Sequence, residues 1–275
     1  MSKYFKLLCT AIGVMGLVAL YEPAALADEA LTGAQIVQKC GYKNPGNDAR
    51  TTLTITLTDS DGNVKKNVYK RFWKDYQGKG GVLDKMLLYT QYPPDNEGTA
   101  FMRWSYVREA GKNADQWLYL PVLRKIRRVS VRDPGDSFLG TDLTYADISP
   151  RGLDEDAHRI LRVDKIDNKE FYVVESTPKE QTPLYSKRVT WYTKSADWND
   201  CVTDRIDYYS KQGGLLKRQH ITWQKVKDAW LWKKVVVENL NTRHSSVFEV
   251  SDAEVNVGLN DRIFTERQMK RGLPR

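Results

Sequence analysis

The chain has 275 residues, 41% of them hydrophobic and 28% charged, with a formal net charge of +8. That length holds one large β domain or two small ones. In an exported chain a basic balance is either ordinary surface charge or an attraction to anionic lipid and acidic polymers, and it does not point to nucleic acid.

Export is what the N-terminus predicts. Lys3 and Lys6 precede an apolar run from Leu7 to Leu20, and Ala25-Leu26-Ala27 forms a small-residue cleavage site before Asp28-Glu29. The apolar run is about 14 residues, short of the roughly 20 a membrane span needs, so the pattern is that of a cleavable secretory signal peptide over residues 1–27. Cys9 lies inside the apolar run and is not placed as a lipid-modified N-terminal cysteine. The domain proper is expected over 28–275, in a bacterial periplasm. It keeps Cys40 and Cys201, which an oxidising compartment allows to pair, although two buried thiols fit the sequence as well.

A first helix is expected over Ala30 to Cys40, with Thr32 as cap, Ile36, Val37 and Cys40 on one face, and Gly41 as stop. Strands follow almost without interruption. Thr51 to Thr58 alternates strictly, with Leu53, Ile55 and Leu57 on one face. Asp59-Ser60-Asp61-Gly62 signals a hairpin. Val64 to Tyr76, Val82 to Tyr92 and Gly98 to Val107 come next, and further strands are expected at 159–166, 170–176, 185–194, 202–210, 215–226, 230–240 and 245–255. Turn signals at such short spacing indicate an antiparallel meander and not βαβ units. A last helix is expected over Asp261 to Arg271, capped by Asp261 and stopped by Gly272.

Between the two series of strands lies an unusual stretch, Asp115 to Ile148. Trp117 to Leu120 is a strand ended by Pro121. Arg124 to Val131 is a second, basic strand with Arg124, Ile126 and Arg128 on one face and Lys125, Arg127 and Val129 on the other. Asp133-Pro134-Gly135-Asp136 is a turn. Ser137 to Ile148 then sets Phe138, Leu139, Leu143, Tyr145 and Ile148 among Asp136, Asp142 and Asp147, which is an ordered loop or short helix with an apolar side. The basic cluster either meets anionic head groups or a partner, or pairs with the neighbouring acids. Rim or latch candidates are accordingly Arg124, Arg127, Arg128, Asp136, Asp142 and Asp147, with Asp133.

Several strands are apolar on both faces. Val82, Met86, Leu88 and Tyr92 oppose Leu83, Leu87 and Tyr89, and Tyr69, Arg71 and Trp73 oppose Val68, Phe72 and Tyr76. Such a sheet needs cover on both sides or a curved interior, and 8 Trp and 15 Tyr supply amphipathic surface for it. Candidates for the lining of an apolar cavity are Phe72, Met86, Leu88, Trp104, Trp117, Tyr119, Phe138, Leu139, Tyr145, Trp191 and Trp223.

The order of signal peptide, short helix, alternating strand and D-x-x-G hairpin, followed by Pro94-Asp95-Asn96-Glu97-Gly98-Thr99-Ala100, Trp117 to Pro121, Arg124 to Arg128 and Asp136-Ser137-Phe138-Leu139-Gly140-Thr141-Asp142, resembles the LolA-like periplasmic proteins. It is most similar to the branch called outer-membrane lipoprotein-sorting proteins, which accompanies RND-type exporters. Tyr145, Asp147, Ile263-Phe264-Thr265 and Met269 to Gly272 fit the same pattern. The resemblance implies a mainly β fold: a strongly curved antiparallel sheet, or half-barrel, with a few helices covering its concave face. It also implies an apolar cavity for the acyl chains of a lipid or lipoprotein, and a monomeric carrier without cofactor working between an inner-membrane exporter and an outer-membrane acceptor. An accessory subunit of such an exporter, with no lipid of its own, is the alternative. Lys70-Arg71-Phe72-Trp73-Lys74-Asp75 lacks the proline that follows the lid-locking arginine of the best-studied LolA branch, so that role does not carry over to Arg71.

Enzymatic chemistry finds little support in the residues. His158, His220 and His244 do not fall in an H-E-x-x-H spacing, and no G-x-S-x-G elbow occurs. An outer-membrane barrel is disfavoured by charges on both faces of most strands and by the terminal Leu-Pro-Arg.

Overall fold

The computed structural model describes residues 31–129, 135–149, 151–180 and 183–274. The predicted signal segment, the Asp133-Pro134 turn and Val131 lie outside the described residues. Thirteen strands form one antiparallel sheet: β1 (Asp48–Thr58), β2 (Val64–Asp75), β3 (Val82–Tyr92), β4 (Ala100–Tyr106), β5 (Asp115–Leu120), β6 (Lys125–Val129), β7 (Asp156–Ile166), β8 (Lys169–Pro178), β9 (Lys187–Thr193), β10 (Thr203–Tyr209), β11 (Leu215–Val226), β12 (Ala229–Asn239) and β13 (Ser245–Val255). Their spatial order is β6-β5-β4-β3-β2-β1-β13-β12-β11-β10-β9-β8-β7. Two meanders are thus joined where β1 pairs with β13, and β6 and β7 are the free edges. Register shifts interrupt seven of the twelve pairings, for instance between Arg50 and Thr52 and between Thr222 and Trp223. Each such bulge bends its strand and adds twist, and the sheet curves into an open half-barrel.

Alternation decides what each face carries. Leu53 and Ile55 of β1, Met86 and Leu88 of β3, Phe101 of β4, Ile221 of β11, Val235 and Val237 of β12 and Phe248 of β13 form one buried cluster. These residues come from strands on both sides of the β1–β13 seam, so the face they share is the concave one. Phe72, Leu87, Tyr89, Ala100 and Met102 form a second cluster on the convex face of β2–β4. It is covered by the C-terminal segment, through Leu259, Phe264 and Met269.

The two helices divide between the faces. α1 (Gly33–Ile36) starts at a capping box in which Gln35 N–H donates to Thr32 Oγ1 at 3.2 Å and Thr32 N–H to Gln35 Oε1 at 2.7 Å. It continues as a π-helical turn, Val37–Gly41, whose Cys40 is bonded to Cys201. The structure thereby resolves the open question of the two cysteines. α1 lies on the concave side of β7 and β8. Gly33 is required there because a Cβ would stand 2.8 Å from the carbonyl carbon of His158. α2 (Glu266–Arg271) is shorter than expected and lies on the convex side. Its cap is Thr265, whose hydroxyl accepts from Gln268 N–H, whereas Asp261 sits in a separate 3-10 turn and takes Lys74 Nζ and Tyr76 Oη at 2.8 Å each.

The basic strand starts one residue later than predicted. Pro121–Leu123 is a 3-10 turn closed by Arg124 N–H to Pro121 carbonyl at 3.1 Å, and Arg124 is left-handed with φ 48°. It therefore belongs to the turn and takes no part in the alternation of β6.

Candidate functional site

The chain leaves one sheet edge at β6 and re-enters at the other, β7. Between them residues 135–149 lie across the concave face. Ser137 and Thr144 pair as an isolated bridge, Phe138 N–H donates to Leu143 carbonyl at 2.8 Å, and Tyr145 N–H to Asp136 carbonyl at 3.1 Å. The tip is Leu139-Gly140, with φ of 51° and 77°, a left-handed pair for which a glycine is suited. Phe138 and Leu143 are fully buried in the concave cluster, and Leu139, Tyr145 and Ile148 pack against it. Phe138 stacks edge-on between Phe101 at 6.2 Å and Tyr145 at 5.6 Å.

Polar groups fasten this loop to the sheet. Lys217 Nζ of β11 donates to Asp142 carbonyl at 2.7 Å and to Asp147 Oδ2 at 2.6 Å, and the two side chains are 3% and 1% exposed. Asp147 Oδ2 also accepts from Thr144 N–H at 2.7 Å, Thr144 Oγ1 at 2.8 Å and Tyr185 Oη at 3.1 Å. Asp142 Oδ2 takes Ser246 Oγ at 2.6 Å and meets His244 Nδ1 at 2.7 Å, while Ser246 Oγ accepts Asp142 N–H. Burial, reinforced by the Asp147 charge, pushes the Tyr185 and Tyr208 hydroxyls well above their ordinary value.

The predicted latch is thus placed differently. Asp142 and Asp147 do hold the loop, but their partners are Lys217, His244, Ser246 and Tyr185, remote in sequence. Among the described residues, Arg124, Arg127 and Arg128 pair with none of Asp136, Asp142 or Asp147. Arg128 pairs with Asp115 of the adjacent strand instead, and Asp136 meets Tyr145 through its backbone carbonyl. The reason is that β6 is an edge strand whose long side chains stay in solvent, and the loop passes inward, away from them. Asp133 lies outside the described residues.

Of the predicted cavity residues, Met86, Leu88, Phe138, Leu139, Tyr145 and Trp223 come together on the concave face. Phe72, Trp104, Trp117 and Tyr119 do not: they lie on the convex face under the C-terminal segment. Trp191 packs with Phe171 and Val173 on the convex side of β8 and β9. Strict alternation makes this separation unavoidable, since Phe72 neighbours Trp73, and Trp104 neighbours Arg103. Lys217, Ser246, His244 and Tyr185 hold the loop acids in place and were not among the residues expected from the sequence. The available signal was Lys217-x-Gln219-x-Ile221, which puts two polar residues on the apolar face of a strand.

Beside the loop, the concave face opens into a cavity of about 630 Å³ walled by Arg103, Gln116, Tyr145, Asp147, Arg151, Tyr185 and Arg188 among others. Its polar wall is mostly self-paired. Arg151 Nη2 and Arg188 Nη2 both bond Asp156, and Arg151 also meets Glu155 and Glu180. Among the described residues no group of His, Cys, Asp and Glu is placed to hold a metal ion.

Fold and site together define an open antiparallel half-barrel whose apolar concave face is closed by one docked loop. A family model described as "Uncharacterized protein" matches residues 83–271, more than half of the chain, and no curated protein matches. A crystal structure of an outer membrane lipoprotein-sorting protein domain from Vibrio parahaemolyticus is 26% identical, covering 87% of this chain and 98% of that one with a TM-score of 0.72. A DUF1329 family protein from Desulfovibrio piger is 25% identical over 86% and 97%, with a TM-score of 0.74. A LolA superfamily protein from Nitrosomonas europaea shares the fold at 20% identity and a TM-score of 0.62, over 87% and 100%. The chain belongs to this LolA-like, lipoprotein-sorting family.

Proposed function

We propose that the protein is a non-enzymatic periplasmic carrier, exported by a signal peptide cleaved near Ala27, that takes up a lipid or the acyl chains of a lipidated protein on its concave face and delivers them towards the outer membrane. The observation that carries this reading is the apolar concave cluster, continuous from β4 to β11 and covered by a loop fastened at Asp142 and Asp147. Acyl chains crossing water need such cover, since each exposed methylene costs roughly 0.8 kcal/mol. Displacing Phe138 and Leu143 would present a surface of matching chemistry without unfolding the sheet. The donor in this reading is an inner-membrane RND-type exporter, the acceptor lies in the outer membrane, and the carrier works as a monomer.

A second reading has one observation in its favour. Phe138 and Leu143 fill the concave cluster, as they would in an accessory subunit of an exporter that carries no lipid. Native mass spectrometry of protein purified from its own envelope, with extracted lipids identified, separates the two. Co-purifying lipid supports the carrier. Protein repeatedly free of lipid, and unable to take up a fluorescent fatty acid, overturns it in favour of the accessory subunit.

A further inference from the structure

Three polar side chains on the concave face are not used in fastening the loop. Arg103 of β4 is 7% exposed, yet its Nε has no hydrogen-bond partner and its nearest carboxylate, Asp84, stands 3.6 Å from Nη2. Gln116 of β5 lies directly opposite Arg103 in register and is 1% exposed, with its Oε1 unpartnered. Among the described residues no group fixes either orientation of that amide, so a half-turn offers its NH₂ to the same point. Arg71 of β2 emerges on the same face one row away, since it pairs with Leu88 where Met86 pairs with Arg103. Burial lowers its guanidinium to about 10, with Asp84 opposing and Arg103 adding to the shift, so it remains charged at neutral pH.

Among the described residues, Arg71 makes no ion pair and Arg103 makes only the long contact to Asp84, so positive charge exceeds negative where burial makes an uncompensated charge costly. Arg103 and Gln116 stand in the wall of the cavity, and Tyr145 of the covering loop faces it with them. Immediately beside them, Met86, Leu88 and Phe101 begin the apolar cluster. Among the described residues, the other carboxylates of the cavity wall are already engaged: Asp147 by Lys217, Glu155 and Glu180 by Arg151. Surplus positive charge next to a covered apolar surface is the complement of an anionic amphiphile.

We infer that Arg103 and Gln116, backed by Arg71 and faced by Tyr145, bind the anionic head group, a carboxylate or phosphate, of the amphiphile carried on the concave face. This rests on the carrier reading and adds a chemical class to its cargo. A head group held there would bridge the sheet at Arg103 and the loop at Tyr145, so that cargo and cover are bound together.

The test titrates the full-length mature protein with a fluorescent long-chain fatty acid and with its methyl ester, which keeps the tail and removes the charge. The wild type is expected to prefer the acid by about tenfold, the size of one charge-assisted hydrogen-bond pair. Arg103→Gln and Arg71→Gln should each abolish most of that preference by weakening the acid, leaving the ester unchanged. If Arg103→Gln fails to fold, Gln116→Glu serves in its place: it sets a carboxylate opposite Arg103, and should raise Tm while removing the preference. Equal binding of acid and ester by the wild type would overturn the head-group site and leave the carrier intact. Binding of neither would overturn the carrier itself. If inorganic phosphate raises the Tm of the wild type but not of Arg71→Gln, with no preference for the acid, the site is one for a free anion and the amphiphile proposal falls.

Discussion

Replacing Lys217 by Met should free the covering loop while leaving the half-barrel folded. The methionine fills a similar volume, but Asp147 is left buried without its cation, and Asp142 carbonyl loses a donor. Removing one partner of a buried pair costs about 3–5 kcal/mol. What holds the loop otherwise is mainly Phe138 and Leu143, whose burial contributes about 3–6 kcal/mol together. The loss at Asp147 is as large as either anchor, and opening the loop rehydrates that carboxylate. Detachment is thus the cheapest response.

Native-state hydrogen exchange measures it. The amides of Phe138, Thr141, Asp142 and Thr144 are bonded within the loop or to Ser246 and Asp147, and in Lys217→Met they should exchange at least roughly a hundredfold faster. Amides of β1 and β13 should keep wild-type rates. Adding Asp147→Asn should recover part of the loss, because the uncompensated charge is gone. Unchanged loop protection would refute the fastening role. Parallel acceleration throughout β1 and β13 would refute the local nature of the opening.

Three further outcomes follow from separate parts of the molecule. Gly33→Ala must push α1 away from the His158 backbone and should cost about 1–3 kcal/mol in denaturant unfolding; a cost within error would mean that α1 is not pressed against β7. Converting both Cys40 and Cys201 to Ser removes a bridge spanning 161 residues and should lower stability by about 2–5 kcal/mol, with equal midpoints for the wild type in oxidising and reducing buffer as the contrary result. The third concerns acid. Burial raises the Asp207 carboxyl, but paired hydrogen bonds from Arg205 and Arg218 prevail and hold it below its ordinary value. Its contribution is present above about pH 4 and is lost as the pH falls through the depressed value. Asp207→Asn should lower Tm at neutral pH and flatten the fall of Tm below about pH 4; parallel melting curves in acid would exclude the linkage.

Most of the architecture was legible because it rests on short-range rules. The period-two pattern of Thr51 to Thr58 and the turn at Asp59 to Gly62 determine β1 and β2 with no help from the rest of the chain. The face assignment was harder. Val82 to Tyr92 is apolar on both sides, and alternation alone says only that Met86 and Leu87 part company, not which of them looks into the concave side. That choice is made by what covers each face, and the covers are Phe138 and Leu143 on one side and Phe264 and Met269 on the other. The latch was misread for a related reason. Opposite charges close in sequence suggested arginine–aspartate pairing, but the acids of the loop meet β11 and β13, strands that lie about seventy to a hundred residues further along.

The strand order explains why the cover takes this form. β6 and β7 are consecutive in the chain and yet stand at opposite ends of the sheet, so the connection between them has to cross the open side of the half-barrel. A crossing segment with apolar residues buries them in the concave face by necessity. Its anchors are then the strands it passes over, β11 and β13, and not the edges from which it departs. The loop can consequently be released at Lys217, His244 and Ser246 without disturbing any strand pairing. The same crossing sets Tyr145 opposite Arg103, so that whatever anion is held by the guanidinium is met by the cover as well. Uptake of an anionic amphiphile and docking of the loop are therefore expected to be coupled. In Lys217→Met the fatty acid should restore loop protection, and the methyl ester, which lacks the charge, should restore much less.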